Sequence, residues 1–532
     1  MAILAHLYSI YPNPFMTISN ALDAATLQQE SLSADVVIIG SGAGGGVSAE
    51  IFAAAGYQVL LIEEGPLKTA RDFKMREKDA YPQLYQESAG RKTLDKAINI
   101  LQGRSVGGST TVNWTTSFRT PEQTLLHWKN NFGIEAHNQK SLTPWFETME
   151  QRLNIEPWKV PAKANNQTIA NGAEKLGWSH SSIARNVKGC ANLGYCGLGC
   201  PINAKQSMLT TTIPAALKAG AKLLYKAKVE RINYQRGRVT GCELVAMDDF
   251  GQPMPNRNIS VVASLVILSG GAIGSPAVLL RSQVPDPHKL IGKRTFLHPT
   301  VISAAVMPEA VNGYAGAPQS IYSDHFLWPD NDDMGFKIEA APLHPLLTST
   351  VLTSFGQQHF DLMQQFPHIQ GSIALLRDGF DERSVGGEVI LDDYGYPKLS
   401  YELNDYFWSS ARKALLAMAE LQFAAGAEQV LPLHLYSQPY TDWGQAKSAI
   451  EELPMESLKA LVFSAHVMGG CAMGSDPKRS VVDEAGRFHH LKGLYIFDGS
   501  IFPTSIGANP QLSIYGMVAK LASELVSASR IS

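Results

Sequence analysis

Short apolar runs, two of which end in glycine, set the pattern of the chain. Residues 35–40 form a β-branched run, residues 47–55 have the small side chains and spacing of a helix, and residues 58–62 form a second apolar run. Buried parallel strands have this continuous apolar character, so the three segments predict a β-α-β unit. Similar runs at residues 264–271 and 493–498 predict two more strands of the same kind.

Between about residues 300 and 454 the pattern changes to alternating strands with proline- and aspartate-rich turns, as at residues 386–391 and 396–401. Such alternation predicts an antiparallel sheet beside the parallel one, and therefore a discontinuous nucleotide-binding domain. The nucleotide-binding domain is predicted to consist of three segments: residues 1–135, residues 205–299, and residues 455–532, which carry the catalytic residues. A lid or substrate-side insertion is predicted at residues 136–204. A substrate-binding domain is predicted at residues 300–454.

Composition and charge narrow the class of protein. The 532 residues are 45% hydrophobic and 17% charged, with a formal net charge of -3, as in globular proteins of more than one domain. No long basic run is present, so we expect no nucleic-acid partner. No apolar stretch is long enough for a transmembrane segment, and residues 1–33 lack a secretory pattern. We expect a cytoplasmic protein, with peripheral membrane contact left open.

The turn after the first predicted strand carries a phosphate-binding pattern, Gly-Ser-Gly-Ala-Gly-Gly, which begins at Gly40. Gly40 permits the turn, and Gly42, followed by Ala43, lets a pyrophosphate approach the backbone at the helix N-terminus. Gly45 lets the helix pack closely on the strand. Glu63, at the end of the next strand, is the candidate acceptor for an adenosine ribose. A structural glycine turn with a surface glutamate is the alternative.

A second glycine loop, residues 103–114, reads Gly-Arg-Ser-Val-Gly-Gly-Ser-Thr-Thr-Val-Asn-Trp. It resembles the second signature of the glucose-methanol-choline (GMC) family of FAD-dependent oxidoreductases, in which this loop lies along the flavin. The resemblance implies cofactor contacts at Arg104, Gly108 and Asn113. It also implies an α/β (α+β) fold, with a Rossmann-like FAD-binding domain and an antiparallel-sheet substrate-binding domain.

The resemblance extends to the C-terminal part of the chain. Further motifs similar to those of the family lie at residues 270–276, 291–299, 494–504 and 509–514. They imply that Asp498 and Gly499 contact the ribityl and phosphate portion of the flavin. They also imply that the backbone of Val229 meets the adenine and that Pro510 belongs to the cofactor site.

Oxidation of an alcohol by a flavin requires a base beside the ring, and histidine suits this role because its pKa lies near the operating pH. His466, in Ser-Ala-His-Val-Met-Gly-Gly, matches the catalytic histidine of GMC enzymes, and Asn509 matches its polar partner. Each residue alone has an ordinary structural explanation, a satisfied histidine or an Asn-Pro turn. Their occurrence together with the other motifs favours a catalytic pair.

One departure from the second signature, and the residues around it, refine the resemblance. Val112 stands where family members with covalent flavin carry a histidine, so we predict non-covalent FAD. The segment 112–114 resembles the cholesterol-oxidase and the long-chain alcohol oxidase branches, and the segment 119–121 adds to the resemblance to the latter, so the long-chain alcohol oxidase and dehydrogenase branch is the nearest. This implies that a primary or long-chain apolar alcohol is oxidised to the aldehyde by hydride transfer to flavin N5.

Several functional alternatives stay open at this point. They are a sugar or sterol dehydrogenase or oxidase with an iron-sulfur relay, a lyase or decarboxylase on the same fold, and a non-catalytic flavoprotein. The electron acceptor is also open between oxygen, a quinone and a redox protein.

Cys190, Cys196 and Cys200 form a compact group in a glycine-rich segment. By resemblance, this segment is similar both to the loop before Ala-Lys-Gln in long-chain alcohol oxidases and to sugar dehydrogenases that bind a 3Fe-4S cluster. Three thiolates are able to ligate such a cluster. A loop with free or partly paired thiols is the plain alternative, and zinc is disfavoured because no fourth ligand is evident nearby.

Overall fold

A six-stranded parallel sheet forms the core of the nucleotide-binding part of the chain. The structure is a computed structural model that describes residues 20–531. The strands of the sheet are β1 (Ala21–Asp23), β3 (Val36–Ile39), β4 (Val59–Glu63), β10 (Lys222–Tyr225), β14 (Leu265–Leu268) and β25 (Leu494–Ile496). They lie in the order β1-β10-β4-β3-β14-β25, and all neighbours are parallel.

The predicted β-α-β unit is confirmed as β3, helix α1 (Ala43–Ala54) and β4. Every residue of β3 and β4 is buried, as expected of strands covered on both faces. The C-terminal helix α13 (Gln511–Ile531) packs against α1. The predicted runs at 264–271 and 493–498 are confirmed as β14 and β25, so strands distant in sequence form one sheet.

A second sheet, which the sequence analysis did not predict, is formed mainly by the chain between β10 and β14. Its strands are β2 (Ser31–Ser33), β11 (Ala227–Gln235), β12 (Arg238–Met247) and β13 (Pro253–Val262). The last three form an antiparallel meander, and β2 joins its edge in parallel. The meander places one end of β11 beside the parallel sheet.

The predicted antiparallel sheet contains strands from outside residues 300–454 as well as from within this segment. Its strands are β5 (Ile98–Ile100), β8 (Ser181–Ser182), β16 (Thr300–Val306), β17 (Ile321–Ser323), β18 (Phe336–Ala340), β19 (Ile369–Leu376), β22 (Gln429–Pro432) and β23 (Val462–Ser464). They run in the order β5-β23-β16-β19-β18-β17-β8, with β22 also paired to β16. Helix α11 (Asp405–Ala424) packs on β16 and β19.

Two small sheets complete the strands of the described residues. The first contains β15 (Lys293–Phe296), β20 (Gly387–Leu391), β21 (Pro397–Ser400) and β24 (Met468–Gly469), and the second contains β6 (Thr116–Ser117), β7 (Ile155–Pro157) and β9 (Ala184–Asn186). The predicted strands at 386–391 and 396–401 are therefore β20 and β21. They pair with each other outside the larger antiparallel sheet.

The remaining helices are mostly short. They are α2 (Glu77–Leu84), α3 (Ser109–Val112), α4 (Glu122–Phe132), α5 (Gln139–Arg152), α6 (Ala164–Leu176), α7 (Thr212–Lys218), α8 (Gly271–Arg281), α9 (Pro345–Val351), α10 (Gly356–Gln364) and α12 (Trp443–Glu452). Within residues 20–531, no helix combines the length and apolar character needed to cross a membrane.

The α/β (α+β) fold class, with a Rossmann-like part and an antiparallel part, is confirmed. The domain boundaries stay a prediction. Strands β5 and β23, from segments predicted for the nucleotide domain, belong to the antiparallel sheet. Residues 1–19 lie outside the described residues. The first predicted domain segment begins there, and the expected absence of a secretory pattern also falls partly on these residues.

The close approach of α1 to the C-terminal segment generates a stability prediction. A Cβ atom added at Gly44 would lie 1.7 Å from the carbonyl oxygen of Phe497, whereas one added at Gly274 in α8 would meet nothing within 4 Å. We expect Gly44→Ala to lower the free energy of unfolding by about 1–3 kcal/mol or more. Gly274→Ala is expected to leave it unchanged or raise it by up to about 1 kcal/mol.

Urea unfolding of the two cofactor-free variants measures the difference. Equal midpoints for Gly44→Ala and the unsubstituted protein would contradict the packing constraint.

Candidate active site

A single large cavity of about 620 Å³ extends from the glycine turn after β3 to the antiparallel sheet. Most of the predicted site residues line it. Those residues are Gly40, Gly42, Ala43, Glu63, Arg104, Gly108, Asn113, Val229, His466, Asp498, Gly499, Asn509 and Pro510. Gly45 lies outside the cavity wall, because its Cα faces the Gly40 carbonyl and an added Cβ would lie 1.7 Å from that oxygen. This position agrees with its predicted role in packing the helix on the strand.

The two glycine loops meet at one end of the cavity. A Cβ added at Gly108 would lie 2.8 Å from the Cα of Gly42, so only glycine permits this approach of the two backbones. Ser41 joins the loops, since its Oγ accepts a hydrogen bond from the Gly107 N–H at 2.9 Å. A Cβ at Gly42 would instead have its nearest neighbour at 3.8 Å, on Gly108. The space beside Gly42 therefore fits a phosphate approaching the N-terminus of α1.

Glu63 lies at the end of β4 and is held by the same turn. Its carboxylate accepts hydrogen bonds from the Ser41 Oγ at 2.6 Å and from the Gly65 N–H at 2.9 Å. Burial raises the pKa of the Glu63 carboxyl, and these hydrogen bonds act in the opposite direction. The predicted ribose acceptor thus lies in the cavity wall, with its orientation fixed by protein donors.

Other predicted cofactor residues are also fixed by the protein. The Asp498 carboxylate accepts hydrogen bonds from the backbone N–H groups of Gly271 and Ser500, each at 2.8 Å, so it joins the β14 and β25 turns. The Asn113 Nδ2 donates to Gln511 at 2.7 Å. The Val229 carbonyl, at the predicted adenine contact, accepts from Arg281 at 2.9 Å.

The two predicted catalytic residues lie together on the cavity. His466 Nε2 is 3.5 Å from Asn509 Nδ2. On the other edge of the ring, His466 Nδ1 is 3.1 Å from Nδ1 of the fully buried His298. Burial, followed by the nearby Lys337 ammonium, lowers the pKa of His466 to about 3. The imidazole is therefore neutral at neutral pH and has a lone pair available, but a pKa this low makes it a weaker base than a histidine whose pKa lies near the operating pH.

Glu339 and Gln319 are polar neighbours of this pair that the sequence analysis missed. The Oε2 atom of Glu339 accepts hydrogen bonds from Asn509 Nδ2 at 3.1 Å and Gln319 Nε2 at 2.7 Å. Burial raises the pKa of Glu339, while Lys337 lowers it. The signal for these residues in the sequence was the pair of charged residues at positions 337 and 339 of the otherwise apolar strand β18. Burial of a carboxylate is costly unless it is paired or hydrogen-bonded, so a carboxylate in such a strand indicates polar partners nearby.

The cavity is apolar beyond these polar residues. Alternate residues of β16 face it and pair with residues of β19 that also face it, in the register Thr300–Leu375, Ile302–Ile373 and Ala304–Gly371. Helix α9 and its flanks cover this part of the sheet. The covering residues that line the cavity are Leu343, Leu347, Thr348, Val351 and Leu352. The site is thus a polar end joined to an apolar compartment.

The candidate iron-sulfur site at Cys190, Cys196 and Cys200 is not supported. The three thiols are free and only partly buried, and across residues 20–531 no three His, Cys, Asp or Glu side chains are grouped as a metal site. Cys196 Sγ is 3.6 Å from Arg185 Nη2, and Cys190 Sγ accepts from the Asn192 N–H at 3.4 Å. These contacts correspond to the predicted alternative, a glycine-rich loop with free thiols.

A Rossmann-like sheet with a glycine phosphate turn is a feature of dinucleotide-binding proteins. Here a histidine-asparagine pair lies on the same cavity. Models of the GMC oxidoreductase family match residues 81–300 and 383–518. The chain belongs to the GMC oxidoreductase family. These are FAD-binding flavoproteins, and the cavity residues described above fit that cofactor.

The chain is similar to relatives over most of its length. An uncharacterized GMC-type oxidoreductase of Mycobacterium tuberculosis is 30% identical over 522 residues, which cover 97% of this chain and 78% of the relative. The long-chain-alcohol oxidase FAO4A of Arabidopsis thaliana is 28% identical, with 91% of this chain and 67% of the relative covered.

Solved structures of other flavoenzymes share the fold. The formate oxidase of Aspergillus oryzae RIB40 aligns with a TM-score of 0.71 at 13% identity, covering 94% of this chain and 99% of that chain. A pyridoxine 4-oxidase aligns with a TM-score of 0.68 at 17% identity, covering 92% and 98%.

The open space beside Gly42 generates a prediction on cofactor loading. We expect Gly42→Val to fold but to purify without FAD, because the valine side chain would occupy the space of the pyrophosphate. The flavin absorbance per protein measures loading, and the melting temperature of the cofactor-free protein measures folding. Gly444→Val in α12 is the matched control, since Gly444 is exposed and lies away from the cavity lining. A fully flavinated Gly42→Val protein would contradict the phosphate role.

Proposed function

We propose that this protein is an FAD-dependent alcohol oxidoreductase that converts a primary or long-chain apolar alcohol to the aldehyde. The observation that carries the proposal is the His466–Asn509 pair, 3.5 Å apart at the polar end of an apolar cavity. Non-covalent FAD is part of the proposal. Val112, which lines the cavity, has no nucleophilic atom with which to attach a flavin.

His466 acts as the base in this proposal. Its neutral Nε2 accepts the proton of the substrate hydroxyl. The Asn509 N–H that faces His466 without substrate then donates to the hydroxyl oxygen and holds it in position, while the other N–H stays on Glu339. Bound FAD supplies the acceptor for the hydride that leaves the alcohol carbon. In the described part of the chain, Asn509 Oδ1 and Glu339 Oε1 are buried without a hydrogen-bond partner, so polar groups remain at this end of the cavity for a ligand.

The apolar compartment supports an apolar substrate. A hydrocarbon chain that starts at His466 would lie between the β16–β19 face and helix α9, where it contacts Ile302, Ala304 and Ile373. Burial of each CH₂ group contributes about 0.8 kcal/mol, so a long chain binds more strongly than a short one. The similarity to long-chain-alcohol oxidases of Arabidopsis thaliana favours the same substrate class.

The role of His466 is tested by His466→Ala. We expect the variant to retain FAD and to oxidise a long-chain alcohol about 10²-fold or more slowly, because the positioned base is lost. Anaerobic bleaching of the flavin absorbance by dodecanol, followed by stopped flow, measures the reductive step.

His288→Ala is the control, since His288 is exposed and lies away from the cavity lining. Flavin reduction by His466→Ala at the unsubstituted rate would exclude the proposed base. A flavin that no alcohol reduces, even in the unsubstituted protein, would favour a lyase or a non-catalytic flavoprotein.

The apolar compartment is tested by Ala304→Phe. The added ring would fill space across from Gly371, so we expect kcat/KM for dodecanol to fall by about 10–200-fold, the range for altered apolar pockets. Butanol, which does not reach the ring, is expected to change by less than about threefold. Ala310→Phe, at an exposed alanine, is the matched control. An equal loss for both alcohols would contradict binding of the chain along β16.

A further inference from the structure

His298 is a buried histidine whose position is fixed from several sides. Its backbone has a positive φ of 49°, which is uncommon for a residue other than glycine. The Asp378 carboxylate accepts from the backbone N–H groups of Leu297 at 2.9 Å and His298 at 3.0 Å. Tyr401 donates to the same carboxylate at 2.7 Å. A buried carboxylate with three donors thus fixes the turn that carries His298.

Ser464 couples this turn to the segment that carries His466. Its Oγ donates to the Leu297 carbonyl and accepts from the His466 N–H at 3.3 Å. The two imidazole rings then meet with a centroid separation of 5.3 Å and an interplanar angle of 32°. Their Nδ1 atoms are 3.1 Å apart, within hydrogen-bond distance.

Only one of the two Nδ1 atoms carries a hydrogen when both rings are neutral. Burial lowers the pKa of both histidines, with Lys337 adding to the effect on each, so both are neutral at neutral pH. Either His466 donates to His298, or His298 donates to His466. The first arrangement leaves His466 Nε2 with a free lone pair, and the second places a proton on it.

Asn509 distinguishes these arrangements. Its Nδ2 donates to Glu339, which fixes the amide with its N–H groups toward both Glu339 and His466 Nε2. A lone pair on His466 Nε2 can accept from Asn509, whereas a proton there would face another donor. The chain of hydrogen bonds from Glu339 through Asn509 therefore favours donation from His466 Nδ1 to His298 Nδ1.

We propose that His298 is a positioning residue that holds His466 in the Nδ1–H tautomer, so that Nε2 is the base. This inference rests on the proposed function of His466 as a base. His298 contributes a hydrogen-bond acceptor at Nδ1 and carries its own hydrogen on Nε2, a buried atom that has no hydrogen-bond partner in the described part of the chain. The unpaired N–H is a cost of this arrangement that the hydrogen bonds from His466 and Asn509 offset. In water a neutral imidazole favours the Nε2–H form, so an acceptor beside Nδ1 is needed to reverse that preference.

Two substitutions separate this role from general packing. His298→Asn retains an acceptor oxygen near the position of Nδ1, and asparagine tolerates a positive φ. His298→Leu removes the acceptor. Melting temperature and FAD content of the two variants control for folding and for cofactor loading.

Nitrogen-15 NMR of histidine-labelled holoenzyme, without substrate, identifies the tautomer, because the ring nitrogen that lacks a hydrogen resonates far downfield. The His466 signals are assigned by their loss in His466→Gln. We expect the Nδ1–H form in the unsubstituted protein and in His298→Asn, and a shift to Nε2–H in His298→Leu. We also expect kcat for dodecanol to fall about tenfold or more in His298→Leu, with KM little changed, and to recover to within about threefold in His298→Asn.

An Nε2–H signal for His466 in the unsubstituted protein would overturn the proposal, whether or not His298→Leu folds. Retention of the Nδ1–H form in a folded His298→Leu protein would also overturn it. If the tautomer responds as expected but His466→Ala still reduces the flavin at the full rate, the positioning role stands and the base assignment fails.

Discussion

The close contact between the Phe497 carbonyl and Gly44 is the constraint on which the rest of the site depends. An added Cβ at Gly44 would lie 1.7 Å from that oxygen, so the C-terminal segment can approach α1 only at a glycine. The Phe497 carbonyl also accepts from Ser269 at 2.9 Å, which joins a third segment of the chain. From this junction Asp498 reaches the β14 turn, and the following loop brings Asn509 to the cavity.

The chemistry of the site depends on how buried charges are arranged around neutral histidines. Lys337 and Glu339 face the same side of β18, and Glu339 uses its carboxylate to orient Asn509. Removal from water penalises a charged imidazole more than a neutral one, so the interior keeps His466 and His298 in the form that can accept a proton. A polar cluster of this kind fixes one hydrogen-bond pattern, while the adjoining compartment is lined mainly by apolar side chains.

Local motifs were sufficient to predict much of the nucleotide-binding part. The β-branched runs around Gly40 became β3, α1 and β4, because a short apolar run, a glycine turn and a helix are specified by neighbouring residues. The β11–β13 meander was missed, since its alternation is interrupted by polar and bulged positions. The cysteine spacing was compatible with a cluster, but spacing does not determine where thiols point, and the fold directs Cys196 toward Arg185.

The sequence by itself determined the family, the parallel-sheet unit with its glycine turn, and the candidacy of His466 and Asn509, because each depends on residues adjacent in the chain. Only the tertiary structure decided that His298 and Glu339 flank this pair, 168 and 170 positions away from His466 and Asn509 respectively. It also decided that β16, β19 and α9 enclose one apolar compartment beside them. The physical reason is that hydrogen bonding and burial between distant segments depend on how the sheets pack, which no local pattern of residues encodes.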